Sequence, residues 1–256
     1  FDEVTLKLWM FLPSGWSAED NRPAMVFFFG GGWRAGSPNQ FVPHAQHLAE
    51  RGIVSFVADY RVSSRHGTKA KDCVDDAREA VRFIRKYASK FGVDPKRVGA
   101  GGGSAGGHLA AAIGTIEVDA ASKPAALALF NPATVLAPYE DEAVWPEGRE
   151  EELKERMGVD PKKLSPIHHV SSDDPPAVVF HGTDDNAVPY KTAEWFVEAM
   201  KEAGVKAILH TYEGAPHGFF NYSRREGFEG EDYYADTLRG LDEFLVGLGW
   251  LEKEEG

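Results

Sequence analysis

Short apolar runs and helical patterns alternate along the chain. The runs AMVFFF (24–29), IVSFVADYR (53–61), ALALF (126–130) and PAVVFHG (176–182) are continuous, which is typical of strands buried on both faces. The strongest helical pattern, over 72–90, places its apolar side chains on one face and its charges on the other. This alternation predicts an α/β fold, with a mainly parallel twisted sheet and helices on both faces.

The predicted elements form one domain with one excursion. Residues 136–170 are acidic and punctuated by prolines, and they interrupt the alternation of strands and helices. We interpret them as a small cap inserted into a single α/β domain over residues 1–256, a length that supports one large core. Further strands are expected within 4–13, 97–103 and 206–212.

Charge and cysteine content limit the partners of the chain. Its formal net charge is −12, so we expect no nucleic-acid partner, and a neutral ester or sugar suits it better than an anion. No apolar run is long enough to span a membrane, so no membrane partner is expected. Cys73 is the only cysteine and falls on the apolar face of a helical pattern, which predicts a buried thiol.

Other features bear on cofactors, assembly and compartment. The sequence has no cysteine-bearing metal motif and no HExxH motif, so we expect neither a metal nor a cofactor. A monomer or a homodimer is expected. The chain begins with Phe1 and shows no signal-peptide pattern, so a processed, secreted or periplasmic form stays open.

The stretch GAGGGSAGGH (99–108) places one serine, Ser104, between a strand pattern and a helix pattern. Its centre fits G-x-S-x-G, the strand-to-helix turn that exposes a nucleophilic serine, and that turn needs small neighbours. A flexible linker is one alternative, but the flanking patterns disfavour it. A phosphate-binding loop is another, but no lysine follows and no acidic residue ends the next strand. Ser104 is therefore the predicted nucleophile.

A serine nucleophile needs a base and a group that orients the base. The segments HGTDDNAVP (181–189) and EGAPHGFF (213–220) each follow a predicted strand, in the order acid and then histidine. They predict His217 as the general base, with one of Asp184 and Asp185 orienting it and the other forming a turn. The alternative for His217 is a solvated loop histidine.

Backbone donors for the developing negative charge are predicted in FFFGGGW (27–33). Glycine lets a backbone approach a substrate closely, so Gly31 and Gly32 are candidate oxyanion donors, together with the N–H of Ala105. An ordinary glycine turn is the alternative interpretation.

Six motifs occur together in a fixed order along nearly the whole chain. They are GGGW (30–33), ADYR (58–61), GGSAGGHLA (102–110), SPIHHV (165–170), PPAVVFHGTDD (175–185) and PHGF (216–219). With these motifs the chain resembles the α/β-hydrolase serine esterases of the hormone-sensitive-lipase-like, acetyl-xylan-esterase and feruloyl-esterase-like group. The combination is more specific than any one motif alone.

The resemblance implies roles for individual residues. Ser104 matches the nucleophile, Asp185 the orienting acid and His217 the base, whereas ADYR and His108 match structural positions. One departure concerns Phe29, because the group's motif usually reads His-Gly-Gly-Gly and has histidine at this position. The hydrogen bonds that support the loop must therefore come from elsewhere.

The cap segment is acidic and has no long apolar run, so a lid for long-chain lipid is not expected and a short-chain acyl ester is the expected substrate. The resemblance favours acetyl esters of carbohydrate. Trp33 and Trp145 are candidate substrate contacts that could stack on a sugar or aromatic ring, with plain packing as the alternative for each. Feruloyl esterase and general short-chain carboxylesterase activities are the nearest alternatives. A peptidase of the prolyl-oligopeptidase type and a non-catalytic binding protein on the same fold are more distant ones.

Overall fold

The computed structural model describes residues 4–116, 119–145, 148–224 and 231–253. The strands in chain order are β1 Leu8–Phe11, β2 Arg22–Phe28, β3 Val54–Ala58, β4 Val93–Gly103, β5 Leu127–Phe130, β6 Ala177–Gly182 and β7 Ala207–Tyr212. They form a single seven-stranded sheet in the order β1-β3-β2-β4-β5-β6-β7. β1 is antiparallel to β3, and all other neighbours are parallel. The predicted mainly parallel sheet is confirmed.

Helices connect the strands. They are α1 Val42–Glu50, α2 Ser63–His66, α3 Ala70–Lys86, α4 Ala88–Phe91, α5 Ala105–Thr115, α6 Arg149–Met157, α7 Lys191–Glu202 and α8 Tyr233–Gly247. Short 3-10 turns cover Pro38–Phe41, Pro161–Leu164, Pro166–His169 and Tyr222–Arg224. No helix within the described ranges has both the length and the apolar character needed to cross a bilayer.

The sheet separates two cores, as continuous apolar strands require. Alternate residues of β2 enter different cores: Val26 belongs to the core that includes side chains of α3, α5 and α7, whereas Phe27 belongs to the core that includes side chains of α1 and α8. Cys73 of α3 is fully buried, and burial raises the pKa of its thiol to about 12. The thiol donates to the Arg61 carbonyl oxygen at 3.0 Å, which fits the predicted inert core position.

The chain leaves the sheet between β5 and β6. The predicted cap, 136–170, contains α6 and the turns Pro161–Leu164 and Pro166–His169, while residues 146–147 lie outside the described part. One face of α6, with Glu152, Leu153 and Arg156, lines the cavity discussed below. The bounds of the cap stay a prediction.

His44 of α1 is fully buried inside a cage of aromatic rings, and neither ring nitrogen has a partner among the described residues. The rings around it belong to Phe27, Phe41, Phe130, Phe220 and Tyr234. Burial lowers the pKa of His44 to about 3, because the charged imidazolium would lose its hydration there.

We expect His44→Leu to remove a pH-dependent loss of stability. Below the ordinary imidazole pKa of about 6.5, the unfolded chain binds a proton that the folded chain rejects, down to about pH 3. The free energy of unfolding of the wild type should therefore fall relative to His44→Leu by up to about 1.4 kcal/mol per pH unit in that window. Urea unfolding at pH 7, 6, 5 and 4 measures this difference. Parallel curves for the two proteins would contradict it.

Candidate active site

Ser104 occupies a strained turn between β4 and α5. Its backbone has φ 53° and ψ −118°, a left-handed region in which a non-glycine residue persists only when its surroundings hold it. The neighbouring residues are small because β2 passes beside the turn. A Cβ atom on Gly102 would lie 2.5 Å from the carbonyl oxygen of Phe28, and one on Gly106 would lie 2.0 Å from that oxygen. These two positions on either side of Ser104 must therefore be glycine, because β2 leaves no room for a side chain there.

The acid and the histidine follow β6 and β7 and meet at the same edge of the sheet. Nδ1 of His217 donates to Oδ2 of Asp185 at 2.6 Å. Oδ1 of Asp185 accepts the backbone N–H groups of Ala187 at 2.9 Å and Val188 at 2.8 Å. Asp184 is exposed, so the structure brings Asp185 and not Asp184 to the histidine.

The environment of Asp185 keeps it ionised. Burial by itself would raise the pKa of this carboxyl, but hydrogen bonds from His181 and His217 hold it well below its usual range. His181 is fully buried, with Nε2 3.2 Å from Oδ2 of Asp185 and 3.0 Å from the carbonyl oxygen of Val188. A buried, ionised Asp185 can both orient His217 and stabilise its protonated form.

Ser104, His217 and the candidate oxyanion donors Gly31, Gly32 and Ala105 line one cavity of about 620 Å³. Among the described residues, nothing accepts a hydrogen bond from the N–H groups of these three donors. The Ser104 hydroxyl and Nε2 of His217 likewise have no partner within the same ranges, and such bonds often form only when substrate is bound. The cavity therefore gathers a hydroxyl, an oriented imidazole and free backbone donors.

The loop that begins at Phe29 is supported without a histidine. Phe29 stacks on Tyr60 with ring centroids 4.1 Å apart, and the Tyr60 hydroxyl donates to the Phe29 carbonyl oxygen at 2.7 Å. The N–H of Gly30 donates to Oε1 of Gln40 at 2.7 Å. Gly31 has φ 123°, and a Cβ atom there would lie 2.1 Å from the Ala35 carbonyl oxygen, so only glycine fits. Tyr60, of the ADYR motif, and Gln40 supply the expected support.

Both candidate tryptophans line the cavity, but their exposure differs. Trp33 is 5% exposed, and its indole N–H donates to Nδ1 of His108 at 3.1 Å. His108 is buried and its Nε2 lies 2.8 Å from the Leu164 carbonyl oxygen, which fits its expected structural role. Trp145 is half-buried, and its indole N–H donates to the Val135 carbonyl oxygen at 3.1 Å.

Four polar residues near the site escaped the sequence analysis, namely Gln40, Asn131, His181 and Asn221. Asn131 directly follows β5, is fully buried, and its Oδ1 accepts the N–H of Gly218 at 2.9 Å. Asn131 and His181 both lie at the end of a predicted strand, and that position could have marked them as candidate site residues. Gln40 lies in a 3-10 turn before α1, where no local motif marks it.

The chain is similar to known proteins over most of its length. The sequence profile of the BD-FAE family matches residues 10–200. The esterase LipC of Mycobacterium tuberculosis is 30% identical over 216 residues, which cover 77% of this chain and 53% of LipC. The chain likewise spans about half the length of several other curated relatives that it matches.

Solved structures resemble the whole chain. Esterase 2 of Thermogutta terrifontis phosphonylated by sarin is 46% identical, with a TM-score of 0.92, and the match covers 99% of this chain and 94% of that one. The butyrate-bound form of the same esterase is 46% identical, with a TM-score of 0.91 and coverage of 99% and 93%. The expected resemblance to α/β-hydrolase esterases is confirmed, and the chain belongs to the BD-FAE family of α/β-hydrolases.

Proposed function

We propose that this protein is a serine carboxylic ester hydrolase that needs no cofactor. The observation that carries the proposal is the convergence, on one cavity, of Ser104 on its strained turn, the Asp185–His217 hydrogen bond and three backbone N–H groups that have no acceptor in the described part of the chain. The esterases among its relatives support the same reaction class.

In the proposed reaction, Oγ of Ser104 attacks the ester carbonyl carbon while Nε2 of His217 takes the hydroxyl proton. The oxyanion accepts hydrogen bonds from the N–H groups of Gly31, Gly32 and Ala105. When the tetrahedral intermediate collapses, the alcohol leaves with the proton from His217, and the acyl group stays on Ser104. Water then attacks the acyl-enzyme by the same route, which releases the acid and restores the serine.

Proton transfer by His217 requires a defined tautomer. Because Asp185 accepts the Nδ1 proton, Nε2 of neutral His217 is left as the acceptor for the serine proton. When Nε2 is protonated, the buried carboxylate of Asp185 stabilises the imidazolium.

The proposed substrates are esters of short acyl chains, with acetyl esters of carbohydrate as the narrower proposal. The cavity of about 620 Å³ carries apolar side chains that include Trp145, Leu153 and Val188, and polar ones that include Ser37 and Arg224. Such a lining suits a small acyl group and a polar alcohol. Thermogutta terrifontis esterase 2 has been solved with propionate and with butyrate bound, which supports short acyl chains here.

A series of p-nitrophenyl esters and acetylated sugars tests the substrate proposal. We expect kcat/KM to be highest for acetate to butyrate and to fall at least about tenfold by octanoate, because a longer chain exceeds the pocket. Acetate release from acetylated xylo-oligosaccharides should exceed ferulate release from methyl ferulate. A preference for laurate would contradict the short-chain proposal, and a preference for methyl ferulate would favour the feruloyl alternative.

A further inference from the structure

Two amide side chains connect the loop of the candidate oxyanion donors, residues 29–33 (the oxyanion loop), to the loop that carries His217, residues 213–221 (the histidine loop). Oε1 of Gln40 accepts the N–H of Gly30 at 2.7 Å, and Nε2 of Gln40 donates to Oδ1 of Asn221 at 2.8 Å. Nδ2 of Asn221 donates to the carbonyl oxygen of Gly218 at 2.7 Å. We call these two side chains the amide bridge. It joins segments 181 positions apart in the sequence, next to the Gly31 donor at one end and His217 at the other.

The far end of the bridge is fixed to the sheet. The N–H of Gly218 donates to Oδ1 of Asn131 at 2.9 Å, and the N–H of Asn131 donates to the Phe180 carbonyl oxygen of β6 at 2.7 Å. Gly218 is thus held by its carbonyl oxygen from Asn221 and by its N–H from Asn131. The histidine loop is therefore anchored at the two peptide groups on either side of Gly218, directly after His217.

The direction of the bridge is set by the backbone groups at its ends. The N–H of Gly30 requires an acceptor, so the Gln40 oxygen faces it and the Gln40 nitrogen faces Asn221. The Asn221 oxygen then accepts, which leaves its nitrogen to donate to the Gly218 carbonyl. Every polar atom of both side chains takes part in the bridge, so both amides are committed to joining the two loops.

We propose that Gln40 and Asn221 are positioning residues that hold the oxyanion donors in register with His217. The inference rests on the proposed function, in which donors on one loop and a base on another act on a single carbonyl group. A displacement of about 1 Å between such groups can cost on the order of 100-fold in rate. Phe29 has no side-chain donor or acceptor that could make this connection.

A double-mutant cycle tests the bridge. Gln40→Met and Asn221→Leu each remove one half, and we expect each to lower kcat about tenfold and to leave KM within about twofold. Since both variants break the same connection, the double variant should match the worse single variant within about twofold, instead of falling about 100-fold. Gln46→Met, an exposed change on α1, is the matched control. Additive losses, or unchanged kcat in either single variant, would overturn the proposal.

Gln40→Glu gives a second readout that a general loss of folding would not produce. In this variant an ionised carboxylate still accepts the Gly30 N–H but cannot donate to Asn221, whereas a protonated carboxyl can do both. The ratio of kcat for Gln40→Glu to kcat for wild type should therefore rise as the pH falls towards about 4.3, the ordinary glutamate value. A ratio that stays constant from pH 8 to pH 4.5 would count against the bridge.

Hydrogen exchange separates this inference from the proposed function. If the wild type hydrolyses no ester, the proposed function fails, yet the bridge still predicts slow exchange of the Gly30 N–H. We expect that exchange to become at least about tenfold faster in Gln40→Met and in Asn221→Leu. Unchanged exchange at Gly30 in Asn221→Leu would overturn the bridge whatever the activity.

Discussion

Ser104→Ala is expected to lower kcat for p-nitrophenyl acetate by a factor on the order of 10⁵ to 10⁶, because acyl transfer loses its nucleophile. The hydroxyl makes no hydrogen bond within the described residues, and alanine shares the small size that the turn requires. The free energy of unfolding should therefore change by no more than about 0.5 kcal/mol. Steady-state kinetics and urea unfolding of the same preparation measure both quantities.

The control for this variant is Ser64→Ala, since Ser64 is an exposed serine of α2 away from the cavity. It should keep wild-type activity. If Ser104→Ala retained more than about 1% of wild-type kcat, the esterase would have to work by another nucleophile.

Asp185→Asn is expected to lower kcat by a factor on the order of 10⁴. Two backbone N–H groups, of Ala187 and Val188, face Oδ1 and require an acceptor there. In the variant, the carboxamide oxygen must take that place, which turns the carboxamide NH₂ group towards Nδ1 of His217. His217 is then forced to carry its proton on Nε2, where it cannot accept the proton of Ser104.

The neighbouring Asp184 supplies the matched control. Asp184→Asn makes the same chemical change on an exposed side chain, and we expect kcat to stay within about twofold of the wild type. A greater loss in Asp184→Asn than in Asp185→Asn would reassign the orienting acid. The position of the imidazole proton can be followed by ¹⁵N NMR of His217 in both variants.

The architecture could be predicted from the sequence because strands buried on both faces produce continuous apolar runs. Element ends were less well defined. The helix predicted over 72–90 is divided at Tyr87, where φ is −108° and ψ is 17°, into α3 and α4. The strand predicted to start at 97 begins at Val93. The prediction missed its first part because the residues there are mostly polar, unlike those of a buried strand.

Some features of the candidate site could likewise be predicted from the sequence, and others could not. Ser104, Asp185 and His217 follow strand ends within recognisable motifs, so their meeting at one edge of the sheet could be predicted. The amide bridge could not, because the pairing of Gln40 with Asn221 depends on loops far apart in sequence. The lack of hydrogen-bond partners for His44 among the described residues could not be predicted either. A helical pattern indicates on which face of the helix a residue lies, but not its hydrogen bonds.

The close passage of β2 beside the Ser104 turn has a consequence for mutational tolerance. At Gly102 and Gly106 any side chain would collide with the Phe28 carbonyl oxygen, so substitutions there should reduce the yield of folded protein. Ser104 itself fills no such gap and can be changed to alanine at little cost to folding. A scan of this segment that measured abundance alone would single out the glycines and pass over the nucleophile, and only a parallel scan of turnover would reveal it.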